Sequence, residues 1–233
     1  MYQSTKLTFG MSALLYKMIR EGEHQGQDFK FCINDSKKIA RSLVAFANTD
    51  GGRLLIGVKD NGRIAGVRSD EEYYMVEAAA KIYSKPPILF RTRQHTADGK
   101  TVLEITIDPS NEKPHFAKDD NGKWLAYFRK NDENKLANKV MLKVWKKKNR
   151  QKGILIHYSE NEKCLLDWLE KNKSVSVSRF ARLAHISFLR AEQIIIDFIV
   201  LGILRIDTKG ANIIYSLNES FDREEWNRSG RMK

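Results

Sequence analysis

The chain of 233 residues contains only two cysteines and four prolines, and it has no long apolar run. Cys32 and Cys164 stand far apart and outside any CxxC arrangement, which suggests neither a disulfide framework nor a zinc site. Both read as part-buried thiols. No stretch approaches the roughly 18 apolar residues that a membrane-crossing helix needs, and the opening MYQSTKLTFG lacks the apolar core and small-residue cleavage site of a secretory signal. A cytoplasmic protein with no membrane partner is expected. Internal repeats and low-complexity segments are missing as well. A make-up of 42% hydrophobic and 30% charged residues belongs to a globular chain, long enough for one large domain or two modest ones.

Positive charge is plentiful. The net charge is +12, and it is unevenly spread, with +10 in residues 1–150 and +2 in residues 151–233. Lysine and arginine gain affinity for phosphates by releasing condensed counterions, so a polyanion, DNA or RNA, is the expected partner.

The first part alternates helix and strand. GMSALLYKMIREG places Met11, Leu14, Leu15 and Met18 at helical spacing, and QDFKFCI alternates as a strand does. Asp35 or Ser36 caps a helix, KKIARSLVAFAN, with a broad apolar face. RLLIGVKD, Asn61-Gly62 and RIAGV predict a hairpin through a type I′ turn. DEEYYMVEAAAKIY reads as a helix stopped by Pro86-Pro87. ILFRTRQ and KTVLEITID predict strands that meet at Asp98-Gly99, KWLAYFRK a further strand, and residues 133–150 a basic helix. After residue 153 three helices, about 159–171, 177–184 and 188–201, precede two short strands, ILRID and NIIYSL, around Thr208-Lys209-Gly210. That is the order of a winged helix-turn-helix.

Gly99-Lys100-Thr101 looks like the end of a Walker A loop, but Gln94 stands where the leading glycine belongs and the context is strand-turn-strand, which excludes an ATPase loop. Gly51-Gly52 precede a strand, so no helix N-terminus faces a phosphate there. Asp28 and Lys30, two apart on a strand, share one face, while Phe29 takes the other. Carboxylates that hold Mg²⁺ or Mn²⁺ beside an ammonium suit phosphodiester cleavage. Glu23 and Asp60 are candidates to complete such a cluster, and a surface ion pair plus a turn aspartate is the alternative.

Glu23 with Asp28-Phe29-Lys30, AFANTDGG (Ala45 to Gly52), LIGVKDNG (Leu55 to Gly62), KPHF (Lys113 to Phe116) and YFRKND (Tyr127 to Asp132) resemble the Schlafen-type AlbA_2 domain in order, over about residues 10–140. The resemblance implies an α/β (α+β) nucleic-acid-binding domain with a mixed sheet. In eukaryotic Schlafens it further implies a metal-dependent endoribonuclease with three carboxylates, which match Glu23, Asp28 and Asp60 here, with Lys30 beside them and Mg or Mn as metal. Asp28 is shorter than the family's usual glutamate, and Gln27 replaces an aliphatic residue. VSVSRFARLAHISFLRAEQIIIDFIVLGIL, Val175 to Leu204, resembles the winged-helix gamma domain of FtsK-type DNA translocases, which implies DNA binding with Arg190 near the start of the recognition helix.

The expected layout is an AlbA_2-like domain over residues 10–140, a basic helix end and linker over 141–153, a winged helix over 154–218 and a polar tail over 219–233. Expected nucleic-acid contacts are Arg91 and Arg93 on one strand face, Tyr127 with Arg129, the run Lys143, Lys146, Lys147, Lys148 and Arg150, and Arg190. His115 and Trp124 are expected to pack. The expected function is DNA binding in transcriptional regulation. A Schlafen-type metal-dependent endoribonuclease and a winged-helix interaction module are the alternatives. Because eukaryotic Schlafens pair two such lobes in one chain, a homodimer is also expected.

Overall fold

In a computed structural model of the chain, residues 13–149, 158–210 and 212–224 are described. They fall into two units that divide between Ala137 and Asn138.

The first unit begins with a helix over residues 13–21, here α1, followed by β1 (Gln27–Lys30), α2 (Ser36–Asn48) and β2 (Gly52–Ile56). Asp35 starts α2 by accepting the amides of Lys37 and Lys38, which satisfies donors the first helical turn leaves open. β1 and β2 pair in parallel with α2 as their crossover, and β2 pairs antiparallel with β5 (Lys100–Ile107), which pairs with β4 (Arg91–Ala97). The strand order is β1-β2-β5-β4. Asp98 and Gly99 both have positive φ, 53° and 68°, so the β4–β5 hairpin turns as a type I′ pair.

Side chains alternate across this sheet. Leu54, Ile56, Leu103, Ile105 and Ile107 meet the apolar face of α2 and of α3 (Glu71–Lys81). Phe29, Leu55, Val102 and Ala97 meet Leu15 and Met18 of α1 on the opposite face. Each of the Val, Leu, Ile, Phe and Met side chains among these, fully buried, contributes about 1.5–3 kcal/mol. Leu14, expected inside, is 39% exposed, and Met11 lies outside the described residues. Smaller sheets add β3 (Ser84–Lys85), β6 (Phe116–Lys118) and β7 (Trp124–Leu125) in the order β3-β6-β7, and β8 (Tyr127–Lys130) with β9 (Glu133–Leu136).

Three local expectations are corrected. RIAGV forms a single bridge, Val58 to Ile64, rather than a strand. Gly62 donates to the Lys59 carbonyl, so Asp60 and Asn61 are the central turn residues, and Gly62 alone carries the positive φ. A Cβ on Gly57 would come within 2.8 Å of the Gly66 backbone, so this segment folds back on itself only because both positions are glycine. KWLAYFRK breaks at Ala126 into β7 and β8. The expected helix over 133–150 begins with β9 instead, because Asn131, at φ 57°, turns the chain into a hairpin on β8.

In the second unit α4 (Lys139–Lys148) is capped by Asn138, whose amide also reaches the Tyr215 hydroxyl at 3.2 Å. α5 (Glu160–Lys171), α6 (Val177–Leu183) and α7 (Phe188–Val200) follow, then an antiparallel hairpin of β10 (Leu204–Lys209) and β11 (Asn212–Leu217). Three helices and then a hairpin is the expected order. α4, which the sequence divides between the first domain and a linker, buries Val140 and Val144 in the second core with Leu165, Phe180, Ile195 and Tyr215. Among the described residues no helix is long and apolar enough to cross a membrane.

Candidate nucleic-acid interface and carboxylate site

β1 delivers Asp28 and Lys30 to the α2 side of the sheet, as alternation requires, and sends Phe29 into the α1 core. Lys30 Nζ lies 2.9 Å from Asp28 Oδ2, which also accepts the Ser42 hydroxyl at 3.3 Å. Ser42 in turn accepts from Asn134 Nδ2 at 3.0 Å. Asp28 is buried, so this polar company is what allows its charge there. Glu23, just before the strand, accepts the Phe29 amide at 2.9 Å. Burial and then the adjoining Asp28 carboxyl push the Glu23 carboxyl above its ordinary value, against the pull of the Phe29 amide and Lys30.

Asp60 does not complete this pair as a third ligand. Among the described residues no group of three His, Cys, Asp or Glu is placed to hold a metal ion. Asp60 is an exposed turn residue beyond the end of β2. The donor set fits a hard cation only in the form in which Mg²⁺ is held by one or two carboxylates and takes its other ligands from water and substrate phosphate. Glu23 and Asp28 would be those carboxylates.

Arg129 is corrected from a groove residue to a buried tie. It is 2% exposed, with Nη2 donating to the carbonyls of Gln27 at 3.0 Å and His24 at 3.3 Å, and Nη1 to Asn134 Oδ1 at 3.1 Å. Its guanidinium also lies 5.1 Å from the Phe46 ring centroid and 3.8 Å from Asp28 Oδ1. Tyr127 is half-buried against the α2 core, so its ring is not an open stacking surface. Asn48, which the sequence analysis does not single out, bonds the backbones of His115 and Tyr127 through one side chain. His115 is buried as expected, its ring held between Pro86 O and Ser110 Oγ, and burial lowers its pKa. Trp124, expected to pack, is 37% exposed beneath Lys118.

The remaining basic candidates divide by partner. Arg91 and Arg93 are exposed on one face of β4, as expected, but Arg91 makes a bidentate pair with Asp108 at 2.5 and 2.8 Å. Lys143 and Lys147 of α4 pair with Glu192 and Asp197 of α7, which takes them out of a free basic run. Lys146 and Lys148 are exposed and pair with no described residue. Arg190 reaches Glu162 at 3.2 Å. Arg150 lies outside the described residues. In the second unit, Arg179 and Arg182 of α6 are exposed, and α7 opens with Phe188 and Leu189 at 52% and 72% exposure.

The chain is similar to the DIP2311 protein from Corynebacterium diphtheriae at 18% identity and a TM-score of 0.42, over 65% of this chain and 30% of that one. It is also similar to the N-terminal domain of a RecG-related protein from Nitrosomonas europaea, at 20% identity and a TM-score of 0.40, over 64% of this chain and 96% of that one. The chain therefore spans about 30% of the length of the Corynebacterium protein. No curated protein matches it. A family model, Schlafen, AlbA_2, matches residues 23–138 and ends where the two units divide. Over residues 23–138, just under half of its length, this chain is therefore similar to the Schlafen, AlbA_2 domain.

Proposed function

We propose that this chain binds nucleic acid, and that its finer role is DNA binding in transcriptional regulation. The observation that carries the reading is the segment from Lys171 to Ala191, which holds Lys171, Lys173, Arg179, Arg182 and Arg190 and no acidic residue. That segment spans α6, its turn and the start of α7, the place from which a winged helix-turn-helix meets a phosphate backbone. The net charge of +12 and the AlbA_2 domain add to it. Because α7 leads with Phe188 and Leu189, and Arg190 is engaged by Glu162, phosphate contact outweighs base readout here. Fluorescence anisotropy with duplex DNA, single-stranded DNA and RNA across a salt series tests this. Arg179→Ala and Arg182→Ala should each reduce the log-log salt slope by about 0.9 on duplex DNA. Unchanged slopes in both variants contradict it.

A second reading, metal-dependent endoribonuclease, rests on the Glu23–Asp28 pair with Lys30 beside it. A bound Mg²⁺ or Mn²⁺ would supply Lewis-acid polarisation of the phosphodiester. Of the chain's own groups, Lys30 would offset developing negative charge. Labelled tRNA incubated with Mn²⁺ or EDTA, with wild type and Asp28→Asn, tests it, and metal-independent inertness sinks it. The apolar start of α7 supports the third reading, a winged-helix surface for self-association. Sedimentation of Leu189→Ser against wild type addresses that reading and the homodimer with it.

A further inference from the structure

The end of β1 holds an aromatic side chain that no core absorbs. Phe29 is 1% exposed in the α1 cluster, whereas Phe31, two residues on and past the last strand residue, is 41% exposed. Phe31 is nevertheless attended by two cations. Lys59 Nζ lies 5.0 Å from its ring centroid and the Arg68 guanidinium carbon 5.8 Å. These residues reach it because the amides of Gly57 and Val58 donate to the Lys30 carbonyl at 2.8 and 3.3 Å, and the glycine pair 57 and 66 then folds the following segment back. Residues 57–68 carry Lys59, Arg63 and Arg68 against the single acid Asp60. Glu72 accepts the Arg68 and Ser69 amides, and its carboxylate also attracts the Arg68 cation.

A half-exposed ring ringed by cations is the pairing by which single strands are held: the base stacks on the ring while flanking phosphates take the cations. A duplex base has both faces covered by its neighbours and offers none to the ring. We propose that Phe31 is a stacking platform for one unpaired nucleobase of a single-stranded nucleic acid, and that Lys59, Arg63 and Arg68 receive the phosphates on either side. The inference rests on the nucleic-acid-binding reading and deepens it, and it assigns single-strand recognition to the first unit. On binding, Lys59 and Arg68 exchange the ring face for phosphate, a stronger partner for a cation.

Anisotropy with the full chain tests it, using labelled oligo-dT and oligo-U, each beside a version whose central residues are abasic. The abasic strands keep every phosphate and lose the bases, and the Phe31 variants then separate stacking from contacts to the base edges. Wild type should bind the intact strands roughly tenfold more tightly than the abasic ones, the scale of a single base stacked on an aromatic ring. Phe31→Leu should erase that difference at an unchanged salt slope, and Phe31→Trp should restore it. Lys59→Ala should lower the slope by about 0.7 on single strands. The dT and U arms decide whether the sugar matters. If wild type binds intact and abasic strands equally, or if Phe31→Leu and Phe31→Trp both bind as wild type does, the platform is wrong while nucleic-acid binding stands. If wild type binds no strand or duplex at low salt, both readings fall.

Discussion

The side chain of Asn48 and the backbone of His115 form a closed pair: Oδ1 accepts the His115 amide at 2.8 Å and Nδ2 donates to the His115 carbonyl at 2.9 Å. The same Nδ2 reaches the Tyr127 carbonyl at 2.9 Å. The C-terminal end of α2 is thereby bonded to the segment before β6 and to β8, which joins the AFANTDGG, KPHF and YFRKND motifs. Asn48→Asp keeps the shape but has no donor, and Asn48→Ala has neither group. Each buried polar group left unpaired costs about 1–3 kcal/mol. Urea unfolding followed by circular dichroism should therefore show a loss of about 3 kcal/mol for either variant.

Arg129 is expected to matter for stability rather than affinity. Removing a buried, multiply bonded cation beside Asp28 should cost about 3–5 kcal/mol in Arg129→Ala. Its salt slope for nucleic acid should match wild type, because the guanidinium faces backbone carbonyls and Asn134, not solvent. A stable Arg129→Ala protein with a shallower slope contradicts the buried-tie assignment.

Acid should weaken the first unit in two stages. Burial lowers the pKa of His115, so its contribution is complete above the ordinary imidazole value of 6.5 and is lost as pH falls through the lowered one. The hydrogen bond from His95, at 2.7 Å, holds the Glu104 carboxyl below the ordinary 4.5, so its contribution is present above that value and lost on further acidification. Glu104→Gln should flatten the second stage and leave the first in place. Equal losses below pH 4.5 in variant and wild type contradict this.

The lysines of α4 should separate by partner. Lys143→Ala leaves the buried Glu192 unpaired and should cost about 1–2 kcal/mol, discounted for the exposed lysine. Lys146→Ala and Lys148→Ala should leave stability within about 0.5 kcal/mol. Thermal unfolding of the three variants distinguishes them.

The long elements were legible because they carry strong local signals: the Asp35 cap and apolar face of α2, the Asp98-Gly99 turn, and the three helices and hairpin of the second unit. Misread segments were those in which backbone geometry overrules composition. Gly57 and Gly66 divert RIAGV from strand pairing, and Asn131 turns residues predicted as helix into β9. At the site, strand alternation placed Asp28 and Lys30 on one face and Phe29 on the other, as the structure has them. Exposure was not legible. Nothing in the spacing of Arg129 marks it as buried while Phe31 lies open, since both outcomes depend on partners about 100 and 30 residues away, Gln27 for Arg129 and Lys59 for Phe31. The ion pairs of Lys143 and Lys147 with α7 were likewise hidden in what reads as an uninterrupted basic run.

The central claim is that the chain binds nucleic acid through phosphate contact, and the salt dependence of its affinity for one duplex tests it most directly. The account predicts that log Kd rises linearly with log salt, with a slope of about 0.9 for each phosphate neutralised. Affinity that is flat across the salt series, or no binding in dilute salt, would contradict it.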